Sequence, residues 1–379
     1  MNTADHAWMA HALRLARLGL YSTHPNPRVG CVIVRDGQLV GEGWHQWAGE
    51  PHAEVHALRQ AGDRARGATA YVTLEPCSHH GRTPPCAEAL VTAGVARVVA
   101  AMRDPNPLVA GRGLERLRSV GIEVASGVLE AEARELNIGF VKRMETGLPY
   151  LRAKLAMSLD GRTAMASGES QWITGPAARS EVQRLRARSS VVLTGADTVL
   201  MDDARLTVRA AELGLDPEQT ELALKRPPLR VLVDGRQRVP LDAPFFLAGP
   251  TLVASASGAG GAEPYLAAGH ELLALDNEGR VDLPALLRTL GERGANEVLL
   301  EAGPRLVGAF AALGLIDEYQ IFVAAKFLGS SARPLLDLPL ERMSEARELK
   351  IEDIRTFGDD WRIVARPVVV FGDPDHAYG

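Results

Sequence analysis

The chain has 379 residues, of which 46% are hydrophobic and 23% charged, with a formal net charge of −5. That length allows two or three domains with cores of their own, and no run of ~18 apolar residues is present to span a bilayer. Residues 1–146 carry 16 Lys/Arg against 15 Asp/Glu and the remainder 26 against 32, so neither half has the clustered basic surface of a nucleic-acid binder. Aromatic residues make up only 5%. These features argue for a small free substrate, with neither nucleic acid nor membrane as partner. Residues 1–11 lack the apolar core of a signal peptide, and three cysteines make no disulfide framework. A cytoplasmic protein is expected.

Apolar spacing predicts a helix over 5–19, then two strands over 29–34 and 39–44 joined at Arg35-Asp36-Gly37. Cys31 falls in the first strand and reads as a small buried hydrophobe. The next helix carries His52-Ala53-Glu54 and stops near Gly62; a strand over 70–74 then delivers the chain to Pro76-Cys77, and a helix over 87–93 follows Cys86. One imidazole, two thiolates and a carboxylate two residues after the His are the parts of a zinc deaminase site. A catalytic zinc takes three protein ligands and leaves a fourth position to water, whose pKa falls towards ~7. In this reading His52, Cys77 and Cys86 hold the metal, and Glu54 shuttles protons. The usual signature closes with Cys-x-x-Cys, whereas eight residues, including His79 and His80 as competing ligands, separate Cys77 from Cys86. Strand 97–101, helix 114–120, strand 122–125 and helix 130–144 complete the first module, and 145–149 reads as a linker.

The second half again alternates, with strands over 150–157, 191–194, 229–233, 251–254, 297–301 and 318–324, helices over 177–187 and 284–293, and a Gly/Ala/Ser loop over 254–263. No repeat of the first half is visible. The pattern is α/β, with ligands expected at strand ends and helix starts. No dinucleotide fingerprint is present. Glu301-Ala302-Gly303-Pro304 runs from a strand into a helix start and suits a phosphate, and 158–175 is dense in Ser, Gly and Thr around Trp172. Arg205 and Arg209 add cations with bidentate forks.

Several segments together resemble the bifunctional riboflavin-biosynthesis deaminase–reductase family: Thr23-His24-Pro25-Asn26-Pro27, Gly41-Glu42-Gly43-Trp44-His45, His52-Ala53-Glu54-Val55-His56, Glu75-Pro76-Cys77-Ser78 through Pro85-Cys86, Asp104-Pro105-Asn106-Pro107 and Lys154-Leu155-Ala156-Met157-Ser158-Leu159-Asp160-Gly161. The long thiol spacing is itself the family's pattern. The resemblance covers essentially the whole chain. It implies a cytidine-deaminase-like three-layer domain over 1–146 and a dihydrofolate-reductase-like domain over 147–379. The implied chemistry is zinc-dependent deamination of 2,5-diamino-6-ribosylamino-4(3H)-pyrimidinone 5′-phosphate, then NADPH-dependent reduction of the ribosyl chain to give 5-amino-6-ribitylamino-uracil 5′-phosphate. A homo-oligomer is expected.

Position by position, Asn26, His45 and Arg82 match the family's deaminase substrate residues. Ala156, Trp172, Thr198, Asp202 and the run Gly303, Pro304, Arg305, Leu306, Val307, Gly308 and Ala309 match its nicotinamide-cofactor positions. Ser170, Arg186, Leu206, Arg209 and Glu301 match its reductase substrate positions, and Lys154 lies in a strand facing them. Either Arg186 or Arg209 could hold the substrate phosphate, and no cation is assigned to the cofactor 2′-phosphate. The competing reading is a deaminase whose second half is only structural or oligomerising.

Overall fold

The computed structural model describes residues 2–78, 85–107, 109–256 and 261–368. The chain divides after Leu148 into two units.

In the first unit, helix α1 (Thr3–Leu18) opens with a reciprocal cap between Asn2 and Asp5 and buries Met9, Ala12, Leu13 and Ala16. Five strands follow: β1 (Gly30–Arg35), β2 (Gln38–Trp44), β3 (Thr69–Val72), β4 (Arg97–Ala100) and β5 (Glu123–Ser126). They lie in the order β2-β1-β3-β4-β5, with β1 antiparallel to both neighbours and β3, β4 and β5 parallel. Glycines show how helices cover this sheet. A β-carbon on Gly30 would lie 2.1 Å from the Ala12 carbonyl oxygen of α1. On Gly41 it would lie 2.2 Å from the Ala57 carbonyl oxygen of helix α2 (Ala53–Ala61). The β1–β2 register pairs Gly30 with Trp44, Cys31 with Gly43 and Ile33 with Gly41. Paired residues share a face and successive residues alternate, so α1 and α2 pack on opposite faces. The result is three layers.

Helices α3 (Cys86–Ala93) and α4 (Arg112–Ser119) follow β3 and β4. The single helix expected over 130–144 is two, α5 (Glu130–Leu136) and α6 (Ile138–Thr146). They meet at Asn137, whose buried side chain accepts from the Arg28 N–H at 2.7 Å and donates to the Arg28 carbonyl at 3.0 Å. A side chain that pairs both polar groups of a distant backbone is fixed in place, and the helix bends around it.

The second unit is built on nine strands. Across the sheet they run Glu271–Ala274, Thr251–Ser255, Leu229–Val233, Val191–Gly195, Glu297–Leu300, Tyr150–Ser158, Glu318–Ala324, Asp360–Pro367 and Leu349–Phe357. The first seven are parallel and the last two form an antiparallel hairpin on the edge. Helices Pro176–Arg188 and Leu283–Glu292 form where helical spacing places them. Helices Ala196–Asp202 and Pro217–Lys225 and the edge hairpin went unforeseen. The hairpin lacks clean alternation because a bulge between Ile351 and Asp353 shifts its register. Residues 257–260 of the expected loop lie outside the described residues.

Candidate active sites

The first site forms where β2, α2 and α3 bring their ends together. His52 is the residue before α2, in extended conformation, and Glu54 lies in that helix's first turn. Cys86 opens α3, directly after Pro85, and its backbone N–H donates to the Cys77 sulfur at 3.3 Å. His52 Nδ1 sits 3.2 Å from Cys86 Sγ and 3.7 Å from Cys77 Sγ, and all three ligand atoms lie within 4.8 Å of one another. Tetrahedral zinc with Zn–S near 2.3 Å and Zn–N near 2.0 Å asks for separations of about 3.5–3.8 Å. The donor set therefore fits the metal in type and spacing.

Charge at the site supports the same use. The Cys77 thiol is drawn down to about 4, first by its hydrogen bond with the Cys86 thiol and then by His52 and the Cys86 amide. The Cys86 thiol is pushed up by its neighbour Cys77 and by burial. Two thiols this close without a metal share protons; a dication removes that conflict. Burial raises the Glu54 carboxyl to about 7, the range in which an acid can both take up and release a proton at neutral pH.

Asn26 and His45 come together beside the metal residues. His45 Nδ1 donates to the Pro51 carbonyl at 3.2 Å, and its Nε2 accepts from Asn26 Nδ2 at 3.0 Å. Burial lowers the imidazole to about 4, which keeps it neutral and able to accept. Its ring meets that of His52 edge-on at 5.3 Å. Arg82, with His79 and His80, lies outside the described residues. One residue escaped the sequence reading. The buried carboxylate of Glu75 accepts from the backbone N–H groups of Asp104, Gly111, Gly113 and Leu114 at 2.9–3.3 Å. It ties that loop to the segment carrying Cys77, and its place immediately before Pro76-Cys77 was the available signal.

The second site is a cleft of about 1400 Å³ at the carboxyl ends of the parallel strands. Its walls include Lys154 and Ala156 from strand Tyr150–Ser158, Ser170 and Trp172 from the following loop, and Thr198 and Asp202 from helix Ala196–Asp202. The Ser170 hydroxyl donates to Asp202 at 2.8 Å, and the Gly303 N–H donates to the Thr198 hydroxyl at 3.1 Å. Trp172 is largely exposed and lies 4.6 Å beneath the Arg179 guanidinium. Glu301 takes a bidentate pair from Arg186, at 2.6 and 2.9 Å, and Arg186 also donates to the Thr207 carbonyl. Burial alone would raise the Glu301 carboxyl, but Arg186 and then Lys154 outweigh it and hold it low. Burial also lowers the Lys154 ammonium.

Leu206 and Arg209 also line this cleft. The first adopts a left-handed backbone at φ 52° with its side chain in the core; the second is exposed and pairs with the half-buried Glu212 at 3.0 Å. In the run 303–309, Gly303, Pro304, Arg305, Leu306 and Ala309 face the cleft. Val307 and Gly308 instead turn to the buried side of helix Pro304–Ala312, where a β-carbon on Gly308 would lie 2.0 Å from the Asp337 carbonyl oxygen. A helix turns by about 100° per residue, so a continuous run cannot share one face.

Two family models match the chain, one within each unit. Residues 149–363 match the model of the RibD C-terminal domain, and residues 2–102 match that of the cytidine and deoxycytidylate deaminase zinc-binding region. The riboflavin biosynthesis protein RibD of Escherichia coli (strain K12) is 54% identical over 362 residues, which cover 94% of this chain and 97% of that protein. The chain belongs to the RibD family.

The RibD of Haemophilus influenzae is 46% identical, over 97% of this chain and 98% of its own. Among solved structures, Acinetobacter baumannii RibD superposes with a TM-score of 0.89 at 50% identity, covering 97% of this chain and 99% of that one. A Thermotoga maritima protein, described as a diaminohydroxyphosphoribosylaminopyrimidine deaminase and 5-amino-6-(5-phosphoribosylamino)uracil reductase, gives 0.83 at 34% identity, covering 96% and 99%. As a RibD-family member the chain is a bifunctional deaminase and reductase of riboflavin biosynthesis. Its deaminase domain is of the zinc-binding kind and its reductase uses NADPH.

Proposed function

We propose that residues 1–146 remove the 2-amino group of 2,5-diamino-6-ribosylamino-4(3H)-pyrimidinone 5′-phosphate as ammonia. Residues 147–379 then reduce the ribosyl chain of the product, giving 5-amino-6-ribitylamino-uracil 5′-phosphate. The observation that carries this reading is the meeting of His52, Cys77 and Cys86 beside a buried Glu54, in a chain with a separate cleft around Glu301 and Arg186. Zinc held by the first set supplies an acidified water, and NADPH in the cleft supplies a hydride.

Glu54 moves protons at the first site, from the attacking water to a ring nitrogen and to the departing amine. Neutral His45 fixes the Asn26 amide through its Nδ2, which leaves the side-chain carbonyl of Asn26 to accept from the pyrimidine. Arg82 completes the proposed substrate set. In the cleft, Ser170, Leu206, Arg209 and Glu301 are proposed to face substrate, and Lys154 stands beside Glu301. Arg186 already makes three hydrogen bonds, to Glu301 and Thr207, whereas Arg209 is itself exposed and forms one ion pair, with the half-buried Glu212. We therefore assign the substrate phosphate to Arg209.

A cytoplasmic homo-oligomer is part of the same proposal. Among the described residues no helix is long and apolar enough to cross a membrane. The edge-hairpin register puts Ile351, Ile354 and Trp361 on one face, each more than half exposed, and long apolar edges invite pairing with another chain. The test follows ammonia release and NADPH oxidation together on the zinc-loaded protein supplied with the diaminopyrimidinone ribosyl phosphate. Ammonia first, then NADPH consumed in equal amount, is the expected result. Ammonia without NADPH consumption would leave a deaminase with a structural second half.

A further inference from the structure

We infer that Arg238 and Arg305 read the 2′-phosphate of NADPH, and that Asp197 occupies the phosphate's place between them until the cofactor binds. The inference rests on the reading of the second unit as an NADPH-dependent reductase. All three residues line the cleft. Arg238 Nη2 lies 2.9 Å from Asp197 Oδ1, and Arg305 Nη1 lies 3.9 Å from Asp197 Oδ2.

Arg238 is held in position from below. It sits in the turn after strand Leu229–Val233, which the buried carboxylate of Asp234 organises by accepting from the Val239 N–H at 2.8 Å. Asp234 Oδ1 has no hydrogen-bond partner among the described residues and faces Arg238 Nε at 3.8 Å. Arg305 stands in the first turn of helix Pro304–Ala312, which contains no acidic residue. A cation there opposes the helix dipole, so the position favours a nearby anion. Asp197 supplies one negative charge against two guanidinium groups and a helix amino end. A phosphate monoester brings close to two charges and three acceptor oxygens, and guanidinium forks match that shape.

Of the other cations lining the cleft, Arg186 is engaged by Glu301, Arg179 lies over Trp172, Arg333 contacts the Met201 sulfur at 3.2 Å and Arg209 pairs with Glu212, while Lys154 and Arg205 also line it. An acidic side chain near this point suits a free ribose 2′-hydroxyl, whereas an arginine accommodates the 2′-phosphate. The cluster holds both, so phosphate and Asp197 compete for the same arginines. Asp197 then weakens NADPH binding, and the arginines discriminate NADPH from NADH.

The experiment is calorimetric titration of the zinc-loaded full chain with NADPH and with NADH. Replacing both arginines (Arg238→Ala with Arg305→Ala) is expected to weaken NADPH binding by about tenfold per lost charge-assisted contact, with NADH held within about twofold. Asp197→Asn is expected to tighten NADPH several-fold, roughly the effect of removing one competing ion pair, and to leave NADH no tighter. NADPH affinity unchanged in the double variant, or equal loss of both nucleotides, overturns the inference while the reductase reading stands. A wild-type chain that binds neither nucleotide overturns the cofactor reading and the inference with it.

Discussion

Glu54 and Glu301 are both buried carboxylates, and their surroundings set them to opposite states. Burial lifts Glu54 to about 7, against the opposing pull of His52. Glu301 is clasped by Arg186, which holds it ionised despite burial. One is thus ready to exchange protons and the other to remain a fixed charge. Glu54→Gln should lower deamination by about 10²–10⁴-fold, with zinc content by elemental analysis unchanged; undiminished deamination would remove Glu54 from the mechanism. Arg186 and Arg209, both at the cleft, should separate as well. Arg209→Ala is expected to raise the reductase KM for the ribosyl phosphate without loss of stability. Arg186→Ala strands a buried carboxylate and should cost about 3–5 kcal/mol, read from denaturant unfolding. An unmoved KM in Arg209→Ala would end the phosphate assignment.

Helix α2 delivers His52 and Glu54 from its amino end, and its closeness to the sheet depends on residues without side chains facing it. Ala57 and Ala61 of the helix lie against Gly41, and a β-carbon on Gly43 would meet the His56 β-carbon at 2.4 Å. Gly43→Ala must push the helix outward, at about 1–3 kcal/mol of overpacking. The expected outcome is weaker zinc retention against a competing chelator, because His52 moves while Cys77 and Cys86 stay on other elements. Retention equal to wild type would show that the ligand set does not depend on this contact. At this scale the sequence was legible where periodicity was strong, as in α1 and the parallel strands. It was less so where an unforeseen tertiary bond intervened, as at Asn137, or where a bulge broke the alternation, as in Leu349–Phe357.

Each unit carries a carboxylate that its fold keeps ionised. Asp5 is lowered to about 2, first by its hydrogen bonds with Arg97. Burial would raise Glu318, yet Arg152 and further partners bring it to about 2. Both folded values lie below the unfolded ones, so the associated stability is fully present above the ordinary carboxylate range. It is lost as pH falls from there towards about 2. The urea midpoint should therefore decline steadily as buffers are taken from pH 5 to pH 3. A midpoint unchanged across that window would mean that neither pair contributes.

The sequence by itself determined the ligand types at the zinc site, their order along the chain, the alternation that makes both halves α/β, and the family. These follow from residue chemistry and from short-range spacing, which a linear chain displays directly. Only the tertiary structure decided that Val307 and Gly308 leave the cleft, that Glu75 anchors the Cys77 segment, and that Arg186 is engaged by Glu301 while Arg238 reaches Asp197. The physical reason is separation along the chain. Arg186 and Glu301 are 115 positions apart and Arg238 and Asp197 are 41, so which charge meets which is set by how the strands align, not by local pattern.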